Sequence, residues 1–288
     1  MLTCPRLDRR SGRRLPWVAG CLLTALIGTA PAGRAGATSA HIAAPDPLEE
    51  IVTFSGTARD RDDAIVYRER HRLIYRNGAL RQAETHYLEP ASGEVFAELA
   101  SDYGPSRWVP AYEFRDHRTG RVEGVRWQGG RPIVYRREAT GQRLEERELA
   151  PSEQLVGGQG FNNLILDRLP ELRAGETVTF RFVIPDRLDA VDLRLRRVSG
   201  EQFVAASIGG GGGERGDDQA RHDRGWKATD VLTLRCEIDH WLLRLIAPSL
   251  RVAYETTDGR LLAYEGNSNL TSDDGDAMHV RIVYDHDG

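Results

Sequence analysis

The chain has 288 residues, 40% hydrophobic and 28% charged, with a net charge of −4 at neutral pH and a mean hydropathy of −0.47. So many apolar residues exclude a disordered chain, and the low hydropathy excludes a helical protein with many membrane spans. All but one of the 39 basic residues are Arg, the exception being Lys227; this is the codon bias of a GC-rich bacterial genome more than a sign of Arg chemistry.

Residues 1–40 read as a signal peptide. Arg6, Arg9, Arg10, Arg13 and Arg14 form a basic start, Trp17 to Ile27 is apolar, and Ala30-Pro31-Ala32 and Ala35-Gly36-Ala37 are small-residue cleavage sites. The apolar run is shorter than the roughly 20 residues of a membrane span. Export to the periplasm is therefore expected, with no transmembrane span in the mature chain. Val18-Ala19-Gly20-Cys21 resembles a lipobox, which would anchor the chain by lipid at Cys21, but the longer apolar stretch follows Cys21 instead of preceding it. The Arg13-Arg14 pair fits a twin-arginine signal poorly, because Pro16 and Trp17 follow it. The segment holds six Arg and one Asp, so its removal takes the net charge from −4 to −9. That sign disfavours nucleic acid and anionic membrane as main partners. Only Cys236 then remains, so no intramolecular disulfide can form.

Residues 41–288 read as a single β-rich domain. Tyr67 to Tyr75 and Ala79 to Leu88 flank Asn77-Gly78, the signature of a tight hairpin turn. Further strands follow at Glu94 to Tyr103, Trp108 to Arg115, Arg121 to Trp127, Pro132 to Glu138 and Gln142 to Leu149, forming an antiparallel meander of six or seven strands. Their polar character suits a sheet with one face on a core and one in water. Phe161, Leu164, Ile165, Leu169 and Leu172 lie on one helical stripe, with Pro170 expected to kink or close the last turn. Strands resume at Val178 to Ile184, Val191 to Leu195 and Leu232 to Ile238, with Cys236 pointing inward. Trp241 to Ala247 reads as one or two helical turns. Strands at Leu250 to Tyr254, Leu261 to Glu265 and Met278 to Tyr284 complete the chain, with a polar loop over Asn267 to Asp276. A Gly-rich insertion at 208–228, holding five consecutive Gly from Gly209, reads as flexible. The expected fold is mainly β: a curved antiparallel sheet, a half-barrel or open barrel, with one amphipathic helix packed on it.

The chain carries no recognisable catalytic motif: no Gly-x-Ser-x-Gly, His-Glu-x-x-His, Cys-x-x-Cys or phosphate-loop pattern. Gly157-Gly158-Gln159-Gly160 opens the helix but lacks the Lys and hydroxyl of a phosphate loop. His41, His71, His86, His117, His222, His240, His279 and His286 are scattered without metal-ligand spacing. Asp116-His117 and Asp239-His240 are adjacent pairs, which on a strand point to opposite faces. Asp273-Asp274-Gly275-Asp276 lacks the ligand alternation of a calcium loop. No catalytic residue, metal or cofactor is expected. The aromatics are more informative, because a curved sheet gathers them on its concave face. Tyr75, Trp108, Tyr112, Trp127 and Phe161 are the candidate ligand-binding residues.

Three blocks carry a family resemblance: Gly158 to Leu164; Val178 to Leu188; and Trp241 to Leu245 through Val252-Ala253-Tyr254 to Arg260–Leu270. Together, over roughly residues 155–284, they resemble uncharacterised exported proteins of Gram-negative bacteria, most specifically at Tyr264 to Asn269. The layout is also similar to the half-barrel of periplasmic lipoprotein carriers. The resemblance implies an envelope protein and assigns no activity. The expectation is a non-enzymatic module that binds or carries an apolar ligand, a lipid or a lipoprotein; the alternative is an envelope structural or interaction protein without a ligand.

Overall fold

The computed structural model describes residues 48–200, 203, 230–240, 249–272 and 277–286. The expected signal peptide, the Gly-rich insertion apart from Phe203 just before it, the Trp241 segment and Asp273–Asp276 lie outside the described residues.

The first half is a run of hairpins: β1 (Glu49–Arg59), β2 (Ile65–Arg76), β3 (Ala79–Leu88), β4 (Val95–Asp102), β5 (Ala111–Asp116), β6 (Arg121–Gln128), β7 (Arg131–Arg137) and β8 (Glu145–Glu148). A two-residue strand, β9 (Leu155–Val156), leads into helices α1 (Gly160–Asp167) and α2 (Leu169–Arg173). The second half is β10 (Val178–Ile184), a 3₁₀ turn at Pro185–Arg187, then β11 (Asp189–Arg197), β12 (Val231–Ile238), β13 (Leu250–Glu255), β14 (Leu261–Thr271) and β15 (Ala277–Asp285). Asn77 and Gly78 have φ of 52° and 74°, as a tight β2–β3 turn requires.

All fifteen strands form one sheet, ordered β8 to β1, then β15 down to β9. Every neighbouring pair is antiparallel except β9 with β10. The fold is thus mainly β, a single curved sheet. The first and last strands meet in its middle: Ala58 of β1 pairs with Ile282 of β15. Its two edges, β8 and β9, are chain neighbours separated by residues 149–154. Side chains link the β8 end to β9, β10 and β11. Arg147 Nη1 lies 3.0 Å from Asp189 Oδ2, and Leu149 shares an apolar cluster with Leu155 and Val183.

Strand alternation sends one residue in two inward. Tyr67, Glu69 and His71 of β2, Tyr87 of β3 and Tyr112 and Phe114 of β5 are buried, and the aromatics Tyr67, Tyr87, Tyr112 and Phe114 share an apolar cluster with Leu270, Val280 and Ile282 from the far end of the chain. Each fully buried side chain of this size contributes roughly 1.5–3 kcal/mol. The second cluster sets Leu164 and Ile165 of α1 and Leu172 of α2 on Phe180, Leu195, Leu234 and Tyr254. The outward face carries ion pairs such as Arg72–Glu84, Arg76–Glu49 and Arg251–Glu265. A lipid-facing barrel would need an apolar band there.

The structure departs from the sequence reading in three places. The single helix is two, broken at Arg168 (φ −104°, ψ 14°), because Pro170 has no N–H and its ring crowds the preceding turn. β1 adds a strand that sequence periodicity did not show. The loop expected from Asn267 is still strand as far as Thr271, with a register irregularity that turns Leu270 inward.

Candidate functional site

The end of the barrel that carries α1 is built from the β4–β5 connection, the β6–β7 hairpin and the chain between β8 and α1. The β4–β5 connection is held against α1 by hydrogen bonds. Asn163 Nδ2 donates to the Arg107 carbonyl at 2.9 Å, and Gly157 N to the Trp108 carbonyl at 2.9 Å. Asp167 accepts from Arg107 Nε at 2.9 Å, from Arg107 Nη2 at 3.0 Å and from Trp108 Nε1 at 2.8 Å. The fit needs glycine at 160, where a Cβ would sit 2.1 Å from the Trp108 carbonyl oxygen.

This scaffold shapes a cleft of about 580 Å³ lined by Trp108, Val109, Trp127, Pro132 and Leu155, with Arg107 and Asp167 among its polar residues. It lies where β8 gives way to β9, and Pro151, Ser152 and Glu153 complete its wall. Trp127 Nε1 donates to the Val109 carbonyl at 2.9 Å, so both indole N–H groups are already used. The Arg168 guanidinium lies 5.5 Å from the Trp108 ring centroid. The volume is in the usual range for small-ligand sites.

Of the five expected ligand-binding residues, the structure brings Trp108 and Trp127 together in this cleft. Tyr112 and Phe161 are not part of its lining. Tyr112 is buried in the first apolar cluster, and Phe161 packs against Phe180 and Phe182 with ring centroids 5.7 and 6.1 Å away. Tyr75 is half-buried near the end of β2. The expected open concave face is filled by the protein's own side chains, Tyr67, Tyr87 and Tyr112 among them; burial pushes the phenols of Tyr87, Tyr112 and Tyr254 up.

Beneath α1 runs a buried polar chain that sequence reasoning missed. His71 Nε2 and Glu69 Oε2 are 2.9 Å apart, and Thr85 Oγ1 and His71 Nδ1 are also 2.9 Å apart. Gln159 Nε2 donates to Thr85 Oγ1 at 2.9 Å, and Ser101 Oγ donates to Gln159 Oε1 at 2.9 Å. The acid, imidazole and hydroxyl follow the order of a nucleophilic relay, but Thr85 is only 1% exposed. Its chemistry is structural: it satisfies every member's buried polar atoms and pins the Gly-rich turn through Gln159. The signal was present, since Glu69 and His71 are two apart on a strand and so share a face.

The opposite end is closed by β14. Tyr67 OH and Ser268 Oγ are 3.0 Å apart, and Asn269 Nδ2 donates to Tyr87 OH at 3.0 Å. Arg121 donates to the Asn269 carbonyl at 3.0 Å, to Glu123 at 2.6 Å and to Asp186 at 3.1 Å. Cys236 faces the core, and burial pushes its thiol up to about 12.

No family model and no curated protein matches the chain. Among solved structures, it is similar to a beta-barrel-like protein of the domain of unknown function DUF1849 from Brucella abortus. Identity is 6%, 83% of this chain and 97% of that one are covered, and the TM-score is 0.43.

None of the described helices is long and apolar enough to cross a membrane. No group of three or more His, Cys, Asp or Glu able to hold a metal is found among the described residues. Asp116 turns inward and pairs with Arg118 at 2.7 Å, whereas His117 pairs with Glu98 on the outer face at 3.2 Å. The adjacent acid and base are thus on opposite sides of the chain where β5 enters its turn.

Proposed function

We propose that this is an exported, non-enzymatic binding module of the cell envelope that takes an apolar or ring-bearing group of its ligand between Trp108 and Trp127. The observation that carries this reading is the cleft itself. Two tryptophans with satisfied N–H groups, Trp108 on a loop held in place before any ligand arrives and Trp127 on β6, offer ring faces beside Val109, Pro132 and Leu155. An acyl chain, as on a lipid or a lipidated partner, suits such a surface, and the Arg107–Asp167 pair beside it suits a polar head. The basic, apolar and small-residue pattern of residues 1–40 supports export. The filled interior favours a second reading, an envelope interaction protein with no small-molecule ligand.

Native mass spectrometry of protein purified from a bacterial host, with titration by an apolar fluorescent probe, separates the two. Under the first reading a lipid co-purifies, and Trp108→Ala and Trp127→Ala each weaken probe binding about tenfold or more, as loss of a buried aromatic contact does. A ligand-free mass with no probe response leaves the second reading.

A further inference from the structure

The sheet ends in two unlike edges. β8 is four residues long and reads Glu145-Glu146-Arg147-Glu148, all exposed. A short, charged edge of this kind deters another strand from pairing with it. The other edge is divided between β9 and β10. β9 pairs with β10 only at Arg181 and Phe182, so Val178 to Phe180 have no strand beside them on that side among the described residues. The cause is the approach to β9. Ser152 Oγ accepts from Gln154 N at 3.2 Å, and the Ser152 carbonyl accepts from Leu155 N at 3.1 Å. This turn curls the chain just where an extended run would have lain along Val178 and Thr179.

The register shows which groups are left facing outward. Arg181 N donates to the Gln154 carbonyl at 2.9 Å, so the main-chain groups of Arg181 face β9. Main-chain groups alternate sides along a strand, so Thr179, two residues earlier, turns its N–H and C=O the same way. They open on a second hollow, of about 470 Å³, whose lining includes the apolar Leu164 and Phe180 and the carboxylates Glu153 and Glu176. Arg168, also at this hollow, is paired with Glu171 at 3.1 Å. Glu153 and Glu176 form no ion pair among the described residues. An extended polypeptide complements such a site: its main chain supplies partners for Thr179, and basic side chains answer the two carboxylates.

We infer that the first half of β10 is a docking edge for an extended, basic segment of a partner protein, which adds a short strand beside Thr179 and brings Lys or Arg to Glu153 and Glu176. The added strand is short because β9 already occupies the edge at Arg181. The net charge of −4 also favours a basic partner. The hollow adjoins the Trp108–Trp127 cleft across Trp108, but the strand-docking role stands whatever that cleft binds.

The test titrates the full chain by calorimetry with three end-blocked peptides: Val-Lys-Val-Lys-Val, the same peptide with its backbone amides N-methylated, and Val-Glu-Val-Glu-Val. Hydrogen exchange at the Thr179 amide is followed alongside. The lysine peptide is expected to bind saturably and to slow exchange at Thr179. The methylated peptide, which cannot donate main-chain hydrogen bonds, is expected to bind about tenfold or more weakly. Thr179→Pro removes the N–H on the open edge, a place where sheets tolerate proline, and a similar loss is expected. Glu153→Gln/Glu176→Gln is expected to bind about fivefold more weakly, as loss of two exposed ion pairs does. Glu49→Gln/Glu84→Gln makes the same change in net charge elsewhere and is expected to bind as wild type. If circular dichroism shows that Thr179→Pro misfolds, the methylated peptide makes the same comparison on the wild type. No saturable binding of the lysine peptide, equal binding of the methylated or the glutamate peptide, undiminished binding by folded Thr179→Pro, or an equal loss in Glu49→Gln/Glu84→Gln overturns the inference. So does a Thr179 amide already protected without peptide: protection independent of protein concentration means that the chain itself fills the edge, and protection that rises with concentration means that a second copy does.

Discussion

Replacing Glu123 by Gln tests whether burial or ion pairing governs the end of the barrel where β14 folds over. Glu123 lies on the inner face of β6 and is only 7% exposed. Burial is the largest influence on its carboxyl and raises it from about 4.5 to about 7; Arg121 pulls the other way, and Asp186 and Glu138 push further up. A folded-state value above the unfolded one means that the folded protein holds the proton more tightly. The associated stability is complete below about pH 4.5 and is lost as pH rises through about 7. At 1.36 kcal/mol per pH unit, the whole loss is about 3 kcal/mol. Gln is neutral at every pH and keeps an oxygen for Arg121. Urea unfolding of both proteins from pH 4.5 to 8.5 is therefore expected to give nearly equal stabilities in acid. At the alkaline end Glu123→Gln is expected to be about 3 kcal/mol more stable. A pH-independent difference, or a less stable variant at pH 8.5, would show that the Arg121 pair outweighs desolvation.

Gly160→Ala drives a methyl into the Trp108 carbonyl and is expected to cost about 1–3 kcal/mol in urea melts, with weaker probe binding at the cleft. Gln159→Leu removes the partner that both Thr85 and Ser101 use; a loss of about 1–3 kcal/mol is expected, read by urea unfolding. Arg147→Ala breaks the Arg147–Asp189 bridge between two well-exposed groups, so a change of at most about 1 kcal/mol is expected in thermal melts. Cys236, buried and with a thiol that ionises only near 12, is expected to resist alkylation in the native state and to react in urea, as followed by peptide mass spectrometry.

The strands legible in the sequence are those with one buried and one wet face. Val178, Phe180 and Phe182 against Thr179 and Arg181 declare β10 without help from neighbours, and Asn77-Gly78 declares the turn that sets the β2–β3 register. β1 was not legible, because residues 49–55 are largely exposed and the strand is defined by pairing with β2 on one side and β15 on the other. The two-residue β9 is likewise a product of its neighbour β10. Trp108 and Trp127 were identifiable as aromatics on nearby strands. Their cleft was not, because it depends on Asp167 and Asn163 reaching back from α1 to a loop some sixty residues earlier. The filling of the concave face was hidden for a similar reason: Leu270 and Ile282 come from the far end of the chain to pack on Tyr67 and Tyr87.

The seam at residues 149–154 has a kinetic consequence. Because β1 lies between β2 and β15, the centre of the sheet requires residues more than 200 positions apart to find each other, and long-range pairing of this kind is slow. The sheet's natural ends fall instead in the middle of the polypeptide. A circular permutant that begins within 149–154, leaves out residues 1–47 and joins His286 to Leu48 through a short linker would make β15 and β1 an ordinary hairpin. Every antiparallel pairing in the sheet would then be between consecutive strands. Such a chain would assemble by local steps from either end, and its refolding would outpace that of the natural order while its spectra stayed the same.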